Sequence, residues 1–411
     1  MLNEIKRKNV LKIIFEKLRM KKILNLLKYN KRLLDKLKIN INDYKDYLVL
    51  KQLNDKFSLN IDNTKIQSLD IGNNFLGNEI LIYLNKIKFT NLKELNISSN
   101  EISDIKELIN NNFAKLEFLD LGDNFISNIN VLAQLNMKNL KILHLEENEI
   151  SNITIFEKVD FTNLESLILF SNKIRNVNVF ENVKFVNLKY LDLSFNQIFD
   201  ISVLEKVNFN KLEELYLSSN KRSHISVIEK DNFEKLKELN LEENEISDIS
   251  VLGKVKFDKL EVLFLNYNQI KDINVLEKVN FKELKELNLG ENKISDINVL
   301  EKVNFKELKI LYSTHNNISD IKFLQKVKFE KLNELCLSNN KISDINVLGI
   351  VNFKELKVLN LDNNNISNIK VLEVANFKKL DILNLKDNPI DKNENSKILE
   401  ILKSKINKFI I

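Results

Sequence analysis

The sequence has 411 residues, of which 44% are hydrophobic and 29% are charged, and its formal net charge is +5. These values are typical of a folded, soluble chain, and no apolar run approaches the roughly 18 residues that a membrane-spanning helix needs. The single cysteine, Cys336, excludes an intramolecular disulfide. Because disulfides are typical of oxidising compartments, we expect a cytoplasmic protein with no membrane partner.

Residues 1–55 form a basic head at the start of the chain. Residues 1–51 contain 15 Lys and Arg against 5 Asp and Glu, and no stretch there has the uninterrupted apolar core of a signal peptide. Apolar residues at helical spacing between residues 10 and 37 predict α-helices that break near Arg19 and Asn30. The abundance of Lys, Asn and Ile is typical of AT-rich coding sequences, so we expect no nucleic-acid partner.

A repeat of 24 residues occupies the chain from residue 56 to residue 391. Leucine recurs at residues 92, 116, 140, 164, 188, 212, 236, 260, 284, 308, 332, 356 and 380, and asparagine follows each of them eight residues later. An earlier copy with a 26-residue spacing contains Ile66, Leu69, Ile71 and Asn74. The head of each unit therefore reads LxxLxLxxN, and we count fourteen repeats.

Each part of the unit has a predicted structural role. The LxxLxL segment alternates apolar and polar residues, which predicts short parallel strands that line a concave face. Asparagine at position 9 can satisfy backbone groups where the chain leaves the strand. The second half, as in residues 269–283, predicts a short helix or 3₁₀ turn on the convex side. Phenylalanine recurs once per unit, except at Met137, and we expect it to stack in the core.

The tail, residues 392–411, is predicted to cap the last repeat. Apolar residues Ile398, Leu399, Ile401, Leu402 and Ile406 form an amphipathic stripe between residues 396 and 411. A helix with such a stripe can cover the apolar end of a solenoid. The predicted fold is therefore an α/β curved solenoid with a parallel concave sheet, a helical N-terminal cap and a C-terminal capping helix.

The repeat resembles the leucine-rich repeat of the internalin and phosphatase-regulatory types. The segment DISVLGKVKFDKLEVLFL, residues 248–265, carries this resemblance. Repeats of those types usually have about 22 residues, and the present unit has two more around its phenylalanine. The resemblance covers about residues 60–390. It implies a non-enzymatic scaffold that binds another protein through the concave face.

The head, VLKIIFEKLRMKKILNLLKYNKRLLDKL at residues 10–37, is similar to an F-box. An F-box would imply a substrate adaptor of a ubiquitin ligase that docks on a Skp-like partner. The sequence departs from the F-box pattern at the expected Leu-Pro opening, because Pro389 is the only proline. The alternative is a helical cap that only shields the first repeat, which every solenoid needs.

The residues that most often carry catalysis or bind metals are few and widely spaced. His144 and His315 lie seven repeats apart, which excludes a shared metal or substrate. His315 and Cys336 lie on adjacent repeats, but no third group completes a triad. The sequence also lacks phosphate-binding and CxxC motifs. We expect no catalytic activity, no cofactor and no metal.

Large aromatic side chains occupy variable positions of the predicted concave face. The candidate protein-binding residues are Phe118, Phe170, Tyr190, Phe195, Tyr216, Phe264, Tyr267 and Tyr312. Exposed aromatic side chains on a rigid sheet are common anchors of protein interfaces. The carboxylates that border them are Asp120, Asp123, Asp192, Glu242, Glu243 and Glu291. We therefore expect a protein partner with a basic segment, bound by a monomer.

Two repeats break the pattern at core positions. Arg222 and Asp231 replace apolar residues within one unit, and His224 lies beside Arg222. A buried unpaired charge is very costly, so we expect Arg222 and Asp231 to pair or that coil to loosen. Ser313 replaces a strand leucine in a later repeat and is predicted to be a second defect.

Overall fold

The computed structural model describes residues 41–61, 64–110, 113–220 and 233–411. Three α-helices are present in these residues: α1 (Ile41–Phe57), α2 (Glu79–Leu84) and α3 (Ser396–Lys405). None of the helices described is long and apolar enough to cross a membrane. The fifteen short strands are β1 (Ser68–Asp70), β2 (Glu94–Asn96), β3 (Phe118–Asp120), β4 (Ile142–His144), β5 (Ser166–Ile168), β6 (Tyr190–Asp192), β7 (Glu214–Tyr216), β8 (Glu238–Asn240), β9 (Val262–Phe264), β10 (Glu286–Asn288), β11 (Ile310–Tyr312), β12 (Glu334–Cys336), β13 (Val358–Asn360), β14 (Ile382–Asn384) and β15 (Lys408–Ile410).

All fifteen strands form one open parallel sheet in chain order, from β1 to β15. Neighbouring strands of the repeats are in strict register, as in the pairing of Leu95 with Leu119 and of Leu119 with Leu143. Because every unit from the second to the thirteenth has 24 residues, equivalent residues form straight ladders across the sheet. The prediction of a solenoid with a parallel sheet is confirmed, and the repeats are numbered below by their strands.

The convex side consists of 3₁₀ helices, as predicted. They span Lys106–Asn110, Asn130–Gln134, Thr154–Glu157, Asn178–Asn182, Ser202–Glu205, Ser250–Gly253, Asn274–Glu277, Asn298–Glu301, Lys322–Gln325, Asn346–Gly349 and Lys370–Glu373. The first repeat has the α-helix α2 in this place, where its two extra residues give room for a longer helical segment. A sheet strand spacing of about 4.8 Å is smaller than the width of the helical segments, which makes the strand side the concave side.

The core lies between the sheet and the 3₁₀ helices. The strand leucines are buried, and so are the repeated phenylalanines apart from the half-buried Phe377. The phenylalanine rings stack in Phe161–Phe185 and Phe257–Phe281 with centroids 6.4 Å apart. Met137 takes the phenylalanine position in one repeat and is also buried. The predicted phenylalanine spine is therefore confirmed as core.

The position-9 asparagines form a buried hydrogen-bonded ladder. The Nδ2 of Asn172 donates to the carbonyl oxygens of Leu145 at 2.9 Å and Leu169 at 3.2 Å, and its Oδ1 accepts from the amide of Ile150 at 2.9 Å. One side chain thus satisfies backbone groups of two consecutive repeats. This confirms the predicted structural role of the asparagine.

The N-terminal cap includes α1, which packs on the first repeat through buried Leu50 and Leu53. Phe57 at its end meets Tyr83 of α2 edge to face, with centroids 5.5 Å apart. The F-box-like segment, residues 10–37, lies outside the described residues, and so do Arg222, His224 and Asp231. The interpretations of those residues stay predictions.

The C-terminal tail differs from the single capping helix predicted for residues 392–411. The helix α3 buries Ile398, Leu399 and Leu402 but ends at Lys405. Residues Lys408–Ile410 then form β15, which pairs in parallel with β14. The last repeat is therefore covered by a helix on one side and extended by a further strand on the other.

Candidate interaction surface

The concave face consists of positions 3, 5, 7 and 8 of each repeat, counted from the leucine that opens LxxLxLxxN. Positions 3 and 5 point out of the sheet opposite the buried leucine of position 4. Position 8 has a left-handed backbone in all fourteen repeats, with φ between 48° at Asp123 and 58° at Asn73. This turn ends each strand and presents the side chain of position 8 to solvent. All eight predicted aromatic residues lie at these four positions.

The structure brings four of the predicted residues together on repeats 5 to 7. The rings of Phe170 and Phe195 lie 5.0 Å apart, and those of Tyr190 and Tyr216 lie 5.2 Å apart. Phe195 is 50% exposed, and the other three are half-buried. We call these four residues the central aromatic patch. Its aromatic pairs are preorganised, since each ring is already held by another.

The tyrosines of the central aromatic patch are tied to neighbouring carboxylates. The hydroxyl of Tyr216 donates to Oε2 of Glu214 at 2.9 Å. Burial, followed by the charges of Asp192 and Glu214, raises the pKa of Tyr190 to about 12. Burial and hydrogen bonding to Glu238 also raise the pKa of Tyr216. Both phenols therefore stay protonated at neutral pH and keep a hydrogen to donate.

A second group of predicted residues lies on repeats 9 to 11. Tyr267 and Tyr312 line an open depression of about 350 Å³, together with His315 and Cys336. Gly290 leaves space in its floor, because a Cβ there would lie 2.9 Å from the hydroxyl of Thr314. The structure places Phe264 on β9 beside this depression, half-buried, and it does not line it.

Cys336 in this depression is a poor nucleophile. Its thiol is buried and donates to Oε1 of Glu334 at 3.7 Å. Burial, followed by the charge of Glu334, raises the pKa of Cys336 to about 12. The thiol therefore stays protonated at neutral pH, whereas the nucleophilic form is the thiolate.

The remaining predicted residue, Phe118, lies apart from both groups on β3. Its ring meets the imidazole of His144 on β4 edge to face, with centroids 5.2 Å apart. The eight candidates therefore do not form one continuous patch: the structure divides them among repeat 3, repeats 5 to 7 and repeats 9 to 11.

The concave face is strongly acidic. Of the side chains at its four positions, sixteen are carboxylates and one, Lys386, is a lysine. The carboxylates are Asp70, Glu94, Asp120, Asp123, Glu146, Glu147, Asp192, Glu214, Glu238, Glu242, Glu243, Glu286, Glu291, Glu334, Asp362 and Asp387. They include the six predicted border residues, and the other ten were missed because only residues flanking aromatics were considered. Counting charge at each repeat position would have found them.

Lysines next to this face are engaged elsewhere. At position 2, Lys141, Lys189 and Lys237 form salt bridges of 2.6 to 2.7 Å with glutamates at position 2 of the preceding repeats. Each of these bridges pairs one positive with one negative charge, and they follow one another along the edge of the sheet. They leave the carboxylates of positions 3 to 8 without lysine partners in the described salt bridges, except where Lys386 faces Asp387 at 3.4 Å. The negative charge of the concave face is therefore not neutralised locally.

Sequence comparisons identify the repeat. The leucine-rich repeat profile with two copies matches residues 90–134, 234–278 and 258–302. Two single-repeat profiles match residues 139–159 and 186–202. The chain is a leucine-rich repeat protein. A search of curated protein sequences found no match.

Solved structures contain the same solenoid. This leucine-rich repeat protein is 27% identical to an internalin, InlF of Listeria monocytogenes, with a TM-score of 0.65 over 82% of this chain and 93% of the internalin. A leucine-rich repeat protein of Leptospira interrogans is 24% identical, with a TM-score of 0.64 over 88% and 98% of the two chains. The plant peptide hormone receptor RGFR1, solved in complex with RGF2, is 20% identical, with a TM-score of 0.60 over 79% of this chain and 52% of the receptor. The last two likenesses show the fold alone.

Proposed function

We propose that the protein is a non-enzymatic scaffold whose concave face binds a basic segment of a protein partner. The observation that carries this proposal is the charge of that face, where sixteen carboxylates are opposed by one lysine. Like charges held close together on a folded surface repel one another, and a partner rich in Lys or Arg would relieve this repulsion. Charge complementarity of this kind sets specificity and association rate.

The central aromatic patch supplies the apolar anchor of the proposed interface. The rings of Tyr190 and Tyr216 pack against each other, and the hydroxyl of Tyr216 donates to Glu214, so a bound side chain would meet both an aromatic ring and a negative charge. Lysine and arginine suit such a site, because a cation over an aromatic ring is attracted by it. A few aromatic anchors of this kind usually dominate the affinity of an interface.

A peptide-binding experiment tests the proposal. A labelled peptide rich in Lys and Arg and a neutral peptide of the same length, with Gln at the basic positions, are titrated with the full chain, and fluorescence anisotropy reports binding. We expect binding of the basic peptide only, and we expect it to weaken as salt is added because salt screens charge. Equal affinity for the two peptides would contradict the proposal.

Variants test whether the basic peptide binds to the concave face or to another part of the surface. Phe170→Ala, Tyr190→Ala and Tyr216→Ala in combination should weaken binding at least about 10-fold, the size expected when interface anchors are removed. The control is Phe199→Ala, because Phe199 is 68% exposed but follows the asparagine turn, outside the four concave positions. Unchanged binding by the triple variant would show that the basic peptide binds elsewhere.

We also propose that the protein acts as a cytoplasmic monomer. Two identical acidic faces repel each other, which disfavours a dimer formed through the concave side. The free, buried thiol of Cys336 suits a reducing compartment. Light scattering after size-exclusion chromatography should give the mass of one chain, and a larger mass would contradict this state.

A further inference from the structure

Three potential metal ligands converge on the concave face of repeats 3 and 4, next to Phe118. They are Asp120 at position 5 of repeat 3, His144 at position 5 of repeat 4 and Glu146 at position 7 of repeat 4. The Nδ1 of His144 lies 3.8 Å from Oδ2 of Asp120 and 3.8 Å from Oε1 of Glu146. These distances are too long for hydrogen bonds, so the three groups surround a gap without closing it.

The surrounding residues hold this arrangement in place. Oδ1 of Asp120 accepts the amide hydrogen of Gly122 at 2.9 Å, which leaves Oδ2 directed at His144. The ring of Phe118 packs edge to face on the imidazole of His144. Gly122 also makes room for Glu146, because a Cβ at residue 122 would lie 2.7 Å from its Oε1. Gly122 therefore positions Asp120 and Glu146, and Phe118 positions His144.

No lysine or arginine pairs with the two carboxylates of this cluster in the described salt bridges. Oε2 of Glu146 is buried and has no hydrogen-bond partner among the described residues, and the lysine nearest in sequence, Lys141, is paired with Glu117. Two carboxylates and an imidazole of this kind are better satisfied by a cation than by one another.

We infer that Asp120, His144 and Glu146 form a binding site for a divalent transition metal ion of the Zn²⁺ type. Bonds of about 2.0–2.1 Å in a tetrahedral site place ligand atoms about 3.3 Å apart, so small movements of two carboxylates would complete it. An imidazole nitrogen among the ligands favours zinc over magnesium or calcium, which prefer oxygen alone. Three protein ligands leave one position open to water or to a side chain of a partner.

This inference does not rest on the proposed function. The metal site uses repeats 3 and 4, whereas the central aromatic patch lies on repeats 5 to 7. Loss of peptide binding and loss of metal binding are therefore separate measurements with separate variants. A partner that offers an imidazole or a carboxylate could use both regions at once.

Calorimetric titration of the metal-free full chain with Zn²⁺ tests the site. We expect one equivalent of Zn²⁺ to bind, and the same site to accept Co²⁺ with the intense visible absorption of a tetrahedral complex. His144→Gln and Glu146→Gln should each reduce the Zn²⁺ affinity by more than about 10-fold, because weaker perturbations outside the ligand shell already cost that much. Thermal denaturation of each variant shows whether it remains folded.

Matched histidine variants serve as controls. His315 also faces a carboxylate, with Nδ1 3.4 Å from Oε1 of Glu291, but it has no second one in the described ion pairs. His315→Gln and His224→Gln should leave Zn²⁺ binding unchanged. Gly122→Ala keeps all three ligands but crowds Glu146, and it should weaken Zn²⁺ binding. Absence of saturable binding, or binding that survives His144→Gln, would overturn the inference.

Discussion

At the scale of single residues, the left-handed backbone at position 8 favours certain side chains for structural reasons, so a side chain that it disfavours points to a functional role. Asparagine, aspartate and serine occupy this position in most repeats, and Asn and Asp tolerate that backbone best. Phe195 and Tyr267 occupy it with φ of 53° and 54°, although bulky side chains are disfavoured there. Strained residues of this kind concentrate at functional sites. Both are among the predicted binding residues.

Tyr267→Asn tests this view. Tyr267 is 53% exposed, so its replacement removes little buried surface. We expect the free energy of unfolding to rise by about 1 kcal/mol, because asparagine adopts the left-handed backbone at lower cost. Urea denaturation followed by circular dichroism gives the change. Asn363→Tyr makes the reverse substitution at the same repeat position and should lower the stability by a similar amount. A Tyr267→Asn variant that is less stable than the parent would refute the strain argument.

Ser313 is a defect of the opposite kind, because it weakens the core without reaching the surface. Its side chain is fully buried, and its hydroxyl has no hydrogen-bond partner among the described residues. Every other repeat has leucine or isoleucine at this position 6. Ser313→Leu should raise the free energy of unfolding by about 1–3 kcal/mol, since it removes an unsatisfied polar group and adds apolar burial. Chemical denaturation measures the difference.

The matched control for Ser313 is Leu289→Ser, at position 6 of the preceding repeat. This change creates the same defect where the core is intact and should cost at least about 2–5 kcal/mol, as large-to-small core substitutions do. If Ser313→Leu destabilised the chain instead, the serine would have to be filling a space too small for leucine.

The face of the sheet on which each residue lies was predictable from the sequence, but the contacts between side chains on that face were not. The leucine period alone placed all eight aromatic candidates on the concave face, because one buried leucine fixes which neighbours point outward. The pairing of Phe170 with Phe195 depends on side-chain rotamers that the period does not determine. The cluster of His144 with Asp120 and Glu146 combines residues from positions 5 and 7 of two adjacent repeats. The spacing between the histidines alone does not reveal it.

At the scale of elements, local pattern predicted the repeats better than the tail. Residues 396–411 have helical apolar spacing, yet only Ser396–Lys405 is helical. The open edge of β14 offers backbone groups that local spacing does not reveal. The amide of Leu385 donates to the carbonyl of Ile410 at 2.8 Å, and the amide of Lys408 donates to that of Asp381 at 2.9 Å. This long-range pairing makes a strand of the last residues.

The C-terminal cap should stabilise chiefly the repeats that it covers. In a solenoid each unit contacts only its neighbours, so the effect of a lost contact stays local. Leu402 is buried, and Leu402→Ala should cost about 2–5 kcal/mol of cap stability. Hydrogen exchange should then be faster in β13 to β15 but unchanged in β3 to β6. Lys403→Ala, at an exposed neighbour, should leave both regions protected. Uniformly faster exchange along the chain would contradict a local cap.

At the scale of the whole molecule, the acidic concave face makes stability depend on pH. Glu238 and Glu286 lie at position 3 of repeats 8 and 10 in a line with Glu214 and Glu334. Burial, and then the charge of Glu214 on Glu238 and of Glu238 and Glu334 on Glu286, raises the pKa of both. A carboxyl whose pKa is higher in the folded chain than in the unfolded one destabilises the fold when it is ionised. That destabilisation is present at neutral pH and disappears as the pH falls through the folded pKa towards the ordinary value of 4.5.

The melting temperature should therefore rise as the pH is lowered from 8 towards about 4.5, opposite to ordinary acid denaturation. Below about pH 4.5 it should fall again, because Glu117 and Glu307, whose pKa is lowered by lysine partners, then lose their charge. Scanning calorimetry across this range gives the profile.

Glu238→Gln combined with Glu286→Gln should raise the melting temperature at pH 8 and flatten the profile, because both variants remove the repelling charges. Glu234→Gln with Glu330→Gln, which neutralises two exposed carboxylates outside the concave face, should leave the profile as it is. A melting temperature that falls steadily from pH 8 to 4.5 would show that the face carries no such repulsion, and the same result would weaken the case for a basic partner.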